Sequence, residues 1–91
     1  MNIAQLRAFH WVAQEGGFSA AARAAGLSQP TLSGQVKALE ESYSIRLFER
    51  RGRGARLTEV GHGLFDVSTR LFALEDEAQT LLSGSKALAR S

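Results

Sequence analysis

The stretch Phe18 to Tyr43, FSAAARAAGLSQPTLSGQVKALEESY, constrains this chain more than any other. It predicts two helices joined by a tight turn. Ser19 is an N-cap candidate for a short alanine-rich helix over Ala20 to Ala25, and Gly26 can take the left-handed conformation that stops it. Leu27 leads into a second cap, Ser28. Pro30 follows in the first turn of the next helix, where its missing N–H costs nothing because that donor has no helical partner. From there to Tyr43, Leu32, Val36 and Leu39 recur at i, i+4 and i+7 and make one apolar face. The opposite face carries Pro30, Ser33, Gly34 and Lys37, with Gln29 at the entrance. Small, polar and cationic residues there suit a helix that lies in a major groove and hydrogen-bonds base edges. The pattern is that of a helix-turn-helix.

Asn2, with Gln5 three residues on, predicts a capping box that opens a first helix. Ile3, Leu6, Phe9, Val12 and Ala13 form its expected buried stripe, Trp11 falls off that stripe, and Gly16-Gly17 ends the helix. The alanines of the second helix favour helix and let backbones approach closely. Ser19, besides capping, would lie where that helix meets a duplex, and helix N-termini are good phosphate sites; either role, or both, fits.

After Tyr43, two short extended runs near Leu47 to Arg50 and Ala55 to Leu57 flank a tip of Arg51, Gly52, Arg53 and Gly54. That is a β-hairpin pattern, a wing whose arginines can bind phosphates or enter a narrow minor groove, the alternative being a solvated loop. Charge is concentrated here. Residues 1–60 carry eight basic and five acidic side chains, +3, whereas residues 61–91 carry three and four, −1. A local basic patch is the footprint of phosphate binding, although charge alone favours a solvated face.

From Thr58, a cap candidate, with Glu59 in the first turn, a long helix is predicted. Leu64, Val67, Leu71, Leu74, Ala78, Leu81, Ser85 and Leu88 alternate in steps of three and four, a heptad seam that packs along another helix. Phe65 and Phe72 form a second row at its edge. The phenylalanine row is assigned to this chain's own helix-turn-helix and the heptad row to a second copy; packing of the seam on the first helix is the alternative. A homodimer is expected through Leu64, Val67, Leu71, Leu74, Ala78 and Leu81.

Other classes of function fit poorly. With no cysteine there is neither a disulfide scaffold nor a thiolate metal site. Serine, histidine and carboxylates are present, but no nucleophile elbow, phosphate-cradling loop or HExxH motif accompanies them. His10 is expected to be structural or exposed. No enzyme, metal or cofactor is predicted. No run approaches eighteen apolar residues and no basic region precedes an apolar one at the N-terminus, so a soluble, cytoplasmic protein without membrane contact is expected. The rival to DNA binding is a helical interaction module whose heptad helix is the working part.

The run AxxxGLSQPTLSGQVKALEESYSIRLFERRGRGARLTEVG, with Leu6-Arg7-Ala8-Phe9 and Gly17-Phe18-Ser19-Ala20-Ala21-Ala22 before it, resembles the N-terminal region of LysR-type transcriptional regulators. The elements SQP, LE, LFER and LT-x-x-G agree in spacing as well as identity. The resemblance covers essentially the whole chain. It implies a mainly α fold, a winged helix-turn-helix (three-helix core, two-stranded wing) over residues 1–58, followed by a linker and dimerisation helix over 59–91. It further implies a bacterial sequence-specific regulator whose linker helices pair antiparallel on an inverted-repeat operator. Gln29, Pro30, Thr31 and Ser33 match residues that face the major groove, and Arg53 matches a wing arginine on the backbone or minor groove. The candidate DNA contacts are therefore Ser19, Ser28, Gln29, Pro30, Thr31, Ser33, Gly34, Lys37, Arg51 and Arg53. Gly34 stands where the family often has arginine, removing one strong contact. Ser44 stands where glycine is usual, a strain if φ is positive there. Family members continue into a domain that binds a small-molecule effector, so this chain is expected to be a DNA-binding fragment without that switch.

Overall fold

The structure is a computed structural model that describes the backbone of every residue except Arg50, Arg51, Arg53 and Ser91, and the side chains of the remainder as far as Gly84. Helix α1 spans Ile3–Glu15. Its predicted capping box is present: the Asn2 side chain accepts from the Gln5 N–H at 2.9 Å, and the Gln5 side chain accepts from the Asn2 N–H at 3.4 Å. Leu6, Phe9 and Val12 are buried, joined by Ala8. Ile3 is not. At the first helical position it lines an open groove with Ala25, Leu27 and Thr31, and the stripe enters the core only from Leu6.

Helix α2 spans Phe18–Ala25, which corrects the expected cap. Gly17 is the N-cap, with no side-chain bond, and Ser19 lies inside the first turn. The physical reason is Phe18, whose ring meets Phe48 edge-on at 5.7 Å. That apolar contact draws residue 18 into the helix, and it offsets the roughly 1 kcal/mol that a side-chain cap contributes. Ala21 and Ala22 are buried, as close helix packing requires. At Gly26 the backbone turns left-handed, with φ 69, and the Leu27 N–H reaches back to the Ala22 carbonyl at 3.0 Å.

Helix α3 spans Gln29–Tyr43. The Ser28 hydroxyl oxygen caps it by accepting from the Thr31 N–H at 3.2 Å, and Pro30 occupies the first turn. Leu32, Val36 and Leu39 are buried against α1 and α2, which completes a three-helix core. Ser44 ends α3 with φ 53, the left-handed turn at which glycine would be free of strain. Leu47 and Phe48 follow into the core, and Phe48 also meets Phe9 at 5.4 Å.

The expected two-stranded hairpin shrinks, among the described residues, to one antiparallel bridge, Phe48 with Leu57. Beside it the Glu49 N–H donates to the Arg56 carbonyl at 2.7 Å. Backbone groups that a longer ladder would use are taken elsewhere. The Leu47 N–H donates to the Glu40 carboxylate at 2.7 Å and the Ala55 N–H reaches the Gly16 carbonyl at 3.0 Å. The cross-strand bonds among the described residues are therefore that of Glu49 and the one from the Thr58 N–H to the Leu47 carbonyl at 3.0 Å.

Helix α4 spans Glu59–Arg90 and gives the molecule its long axis, 55 Å against 24 and 19 Å. Thr58 works in both directions at its start: the hydroxyl oxygen accepts from the Gly61 N–H at 3.0 Å and the hydroxyl donates to the Arg46 carbonyl at 2.7 Å. Gly61 permits the approach. A Cβ there would drive into the Leu47 carbonyl oxygen and lie 3.0 Å from Leu57 Cδ2. The architecture is mainly α, a helix-turn-helix followed by a long helix that packs on α1.

Candidate nucleic-acid interface

Burial of Leu32, Val36 and Leu39 decides which side of α3 faces outward. Ser28, Gln29, Pro30, Thr31, Ser33, Gly34 and Lys37 are all exposed, together with Ser19 from the start of α2. Eight candidate contacts are thus accessible at the α2–α3 corner and along α3, Thr31 at the edge where α3 borders the groove lined by Ile3 and Leu27. The other two, Arg51 and Arg53, lie outside the described residues.

Within this surface several polar groups are already engaged with each other. The Ser19 hydroxyl donates to Gln29 Oε1 at 3.0 Å. The hydroxyls of Ser28 and Thr31 share a hydrogen bond at 2.7 Å, in addition to the Ser28 cap. Lys37 Nζ lies 3.8 Å from the Glu41 carboxylate one turn on, with both side chains open to solvent. Such an exposed pair contributes at most a few tenths of a kcal/mol, so a phosphate can displace the glutamate without appreciable loss. Gly34 leaves open space on the same face, with nothing within 4 Å of where its Cβ would be.

Two residues that position this surface were not singled out from the sequence. Glu40, on α3, holds the descending backbone by accepting from both the Leu47 and Phe48 N–H groups, at 2.7 and 3.4 Å. It fixes where the arginine-rich segment leaves α3. The only trace in sequence was the LE of the family pattern. Ser68 is fully buried between α4 and α1, and the signal that could have found it is its place on the phenylalanine row, three residues after Phe65 and four before Phe72.

That row faces inward as expected. The His10 ring lies 5.2 Å from both Phe65 and Phe72, and its Nδ1 is 2.7 Å from Ser68 Oγ. Because the Ser68 hydroxyl donates to the Phe65 carbonyl at 3.0 Å, its oxygen is the acceptor for an Nδ1–H of His10. Burial holds the His10 imidazole below its ordinary pKa; a hydrogen bond with Gln14 opposes this and the charge of Arg7 adds to it. Arg7 lies 4.4 Å over the Phe72 ring and pairs with Glu75. His10 is a structural residue of the α1–α4 contact.

The heptad row divides. Leu64 and Leu71 are half-buried against this chain's own core. Val67, Leu74 and Leu81 are 46%, 64% and 67% exposed, Ala78 is exposed too, and Val60 extends the row one heptad earlier at 53%. The side chains of Ser85 and Leu88 lie outside those described.

The bacterial regulatory helix-turn-helix protein model of the lysR family matches residues 3–62. The HTH-type transcriptional regulator BudR of Klebsiella aerogenes is 45% identical over 78 residues, which is 86% of this chain and 54% of that protein. TfdS of Cupriavidus pinatubonensis is 38% identical over 90 residues, 99% of this chain and 30% of its own. The chain thus spans about half the length of BudR and under a third of TfdS. Among solved structures, BenM_DBD in complex with benA site 1 DNA superposes with a TM-score of 0.83 at 32% identity, covering 91% of this chain and 96% of that one. CbnR_DBD in complex with DNA gives 0.78 at 33% identity, covering 93% and 98%.

Proposed function

Because this chain belongs to the LysR family of bacterial regulatory helix-turn-helix proteins, we propose that its α3 face reads an operator for a transcriptional regulator. The chain is a LysR-type helix-turn-helix DNA-binding domain, of the kind found in transcriptional regulators and not in enzymes. How it reads DNA is our proposal. The observation that carries it is the exposure of Gln29, Pro30, Thr31, Ser33 and Lys37 on a helix whose Leu32, Val36 and Leu39 are buried, with Ser19 of α2 bonded to Gln29 beside them. BenM_DBD and CbnR_DBD, similar to this chain over more than 90% of its length, are described in complex with DNA.

In this reading α3 enters the major groove. Gln29 and Ser33 bond base edges, while the Pro30 ring and the Thr31 methyl lie against thymine methyls. A good bidentate base contact discriminates by about 1–3 kcal/mol. Lys37, Arg51 and Arg53 neutralise phosphates, the arginines from a wing on the backbone or minor groove, and this share of affinity is lost with salt. Residues 1–58 are the reading unit and residues 59–91 the pairing helix. One α3 covers only a few base pairs, so two copies joined through Val67, Leu71, Leu74, Ala78 and Leu81, with Leu64 at the start of the seam, would read an inverted repeat. A chromosomal operator sets this work in the cytoplasm. Among the described residues no helix is long and apolar enough to cross a membrane.

The test is fluorescence anisotropy of the 91-residue chain on an inverted repeat that it selects from random duplexes, and on the scramble of that repeat, over a salt series. Tighter binding to the selected duplex, persisting as salt rises, is expected. Equal binding that collapses with salt would leave only phosphate attachment. Dimerisation with no DNA affinity at low salt would instead favour the interaction module.

A further inference from the structure

The surface at the α2–α3 corner contains one contact whose chemistry exceeds its stability value. The Ser19 hydroxyl and the Gln29 amide belong to different helices, ten residues apart, and meet at 3.0 Å in full exposure. Neither is needed to complete the fold. A neutral bond in water contributes little there, and Ser19 does not cap α2, because Gly17 does. What the bond does is tether the amide, here with the hydroxyl donating to Oε1. Since a hydroxyl can also accept, its surroundings decide which way round the amide is held. A primary amide has a carbonyl oxygen that accepts and an NH2 that donates, and a half-turn about its last torsion exchanges them.

We propose that Ser19 is a positioning residue for base reading, setting which way round Gln29 presents its amide to the DNA. This rests on the reading of α3 as the major-groove helix. The orientation comes from where the tether stands: Ser19 sits in the first turn of α2, whose positive pole favours the amide oxygen over the NH2 on that side. Oε1 has two lone pairs, and Ser19 takes one. The NH2 and the remaining lone pair are left for the base edge in a fixed order. In the major groove that order matters, because adenine offers N7 as acceptor beside N6–H2 as donor, guanine two acceptors, and cytosine a donor. A freely turning amide can satisfy any of them in part; a held one prefers one arrangement. Serine on the supporting helix thereby contributes to specificity without touching a base.

The experiment is selection from random duplexes, followed by anisotropy on single-base variants of the selected site, for the 91-residue chain and for Ser19→Ala, Ser19→Thr, Gln29→Ala and the Ser19→Ala/Gln29→Ala double variant. The wild-type profile comes first. A flat profile would overturn the reading of α3 itself, and this assignment with it. Given a wild-type preference, Ser19→Ala should flatten the one position per half-site that Gln29→Ala also flattens, by about two- to tenfold, the range of one neutral hydrogen bond. Ser19→Thr should restore it, and the double variant should match Gln29→Ala alone. Two results overturn the positioning role while leaving the α3 reading intact. One is an unchanged profile in Ser19→Ala. The other is an equal loss on every duplex, which would make Ser19 a phosphate contact. Circular dichroism of each variant identifies any loss that comes from unfolding.

Discussion

Ser44 holds a backbone conformation that costs a residue with a Cβ roughly 1–2 kcal/mol, and it does so where α3 must stop for the chain to turn towards Leu47. Replacing it by glycine removes that strain but adds freedom to the unfolded chain, leaving a net gain of roughly 0.5–1 kcal/mol. In a domain of this size each kcal/mol raises Tm by about 4–8 °C. Ser44→Gly should therefore melt several degrees higher with DNA affinity unchanged; a lower Tm would mean that the serine makes a compensating contact. The sequence disclosed most residues of this kind, because caps and turns obey local rules. Asn2 with Gln5, Ser28 with Pro30, and Gly26 were legible for that reason. Ser19 was misassigned as a cap because the deciding contact, Phe18 on Phe48, spans thirty residues. Glu40 escaped notice as an anchor for the same reason, since the backbone it holds lies seven and eight residues on.

Helix α4 has one covered side and one open side. Its Phe65, Ser68 and Phe72 side belongs to α1, and its Val60, Val67, Leu74 and Leu81 row has no cover among the described residues. Periodicity made both rows legible. It did not show that Leu64 and Leu71 lie between them, half-committed to their own core. That placement selects the variant that tests the pairing helix. Leu71→Asp would damage the monomer's packing as well as the seam, whereas Leu74→Asp changes a residue already 64% exposed. Leu74→Asp should keep its helical spectrum, sediment as a monomer at micromolar concentration, and lose most of its preference for an inverted repeat over a single half-site. A persistent dimer would place the interface elsewhere. The wing was less legible, because alternation over four residues predicts a ladder only if its N–H groups are free, and here the Glu40 carboxylate and the Gly16 carbonyl claim those of Leu47 and Ala55.

At the scale of the whole molecule, α1 is the common neighbour of α2, α3 and α4. His10 stands in its contact with α4, surrounded by Phe65, Phe72 and Ser68, with Arg7, Gln14 and Glu75 as the nearby charged and polar groups. Since burial lowers the His10 pKa in the folded state, the unfolded chain takes up the proton first as pH falls. The contribution is fully present above the unfolded value of about 6.5 and is lost as pH falls from there through the folded value. Urea unfolding at pH 7 and pH 5 should show a drop in stability that is smaller in His10→Gln. Equal drops in both would remove His10 as the cause. The same contact has a mechanical consequence. The anchoring of α4 ends near Glu75, yet the helix runs on to Arg90, an overhang of about 22 Å at 1.5 Å per residue. It is a lever with its fulcrum on α1. A force applied at the far end would load the Phe65–His10–Phe72 contact first, and α1 would hand it on to α3, which packs against it.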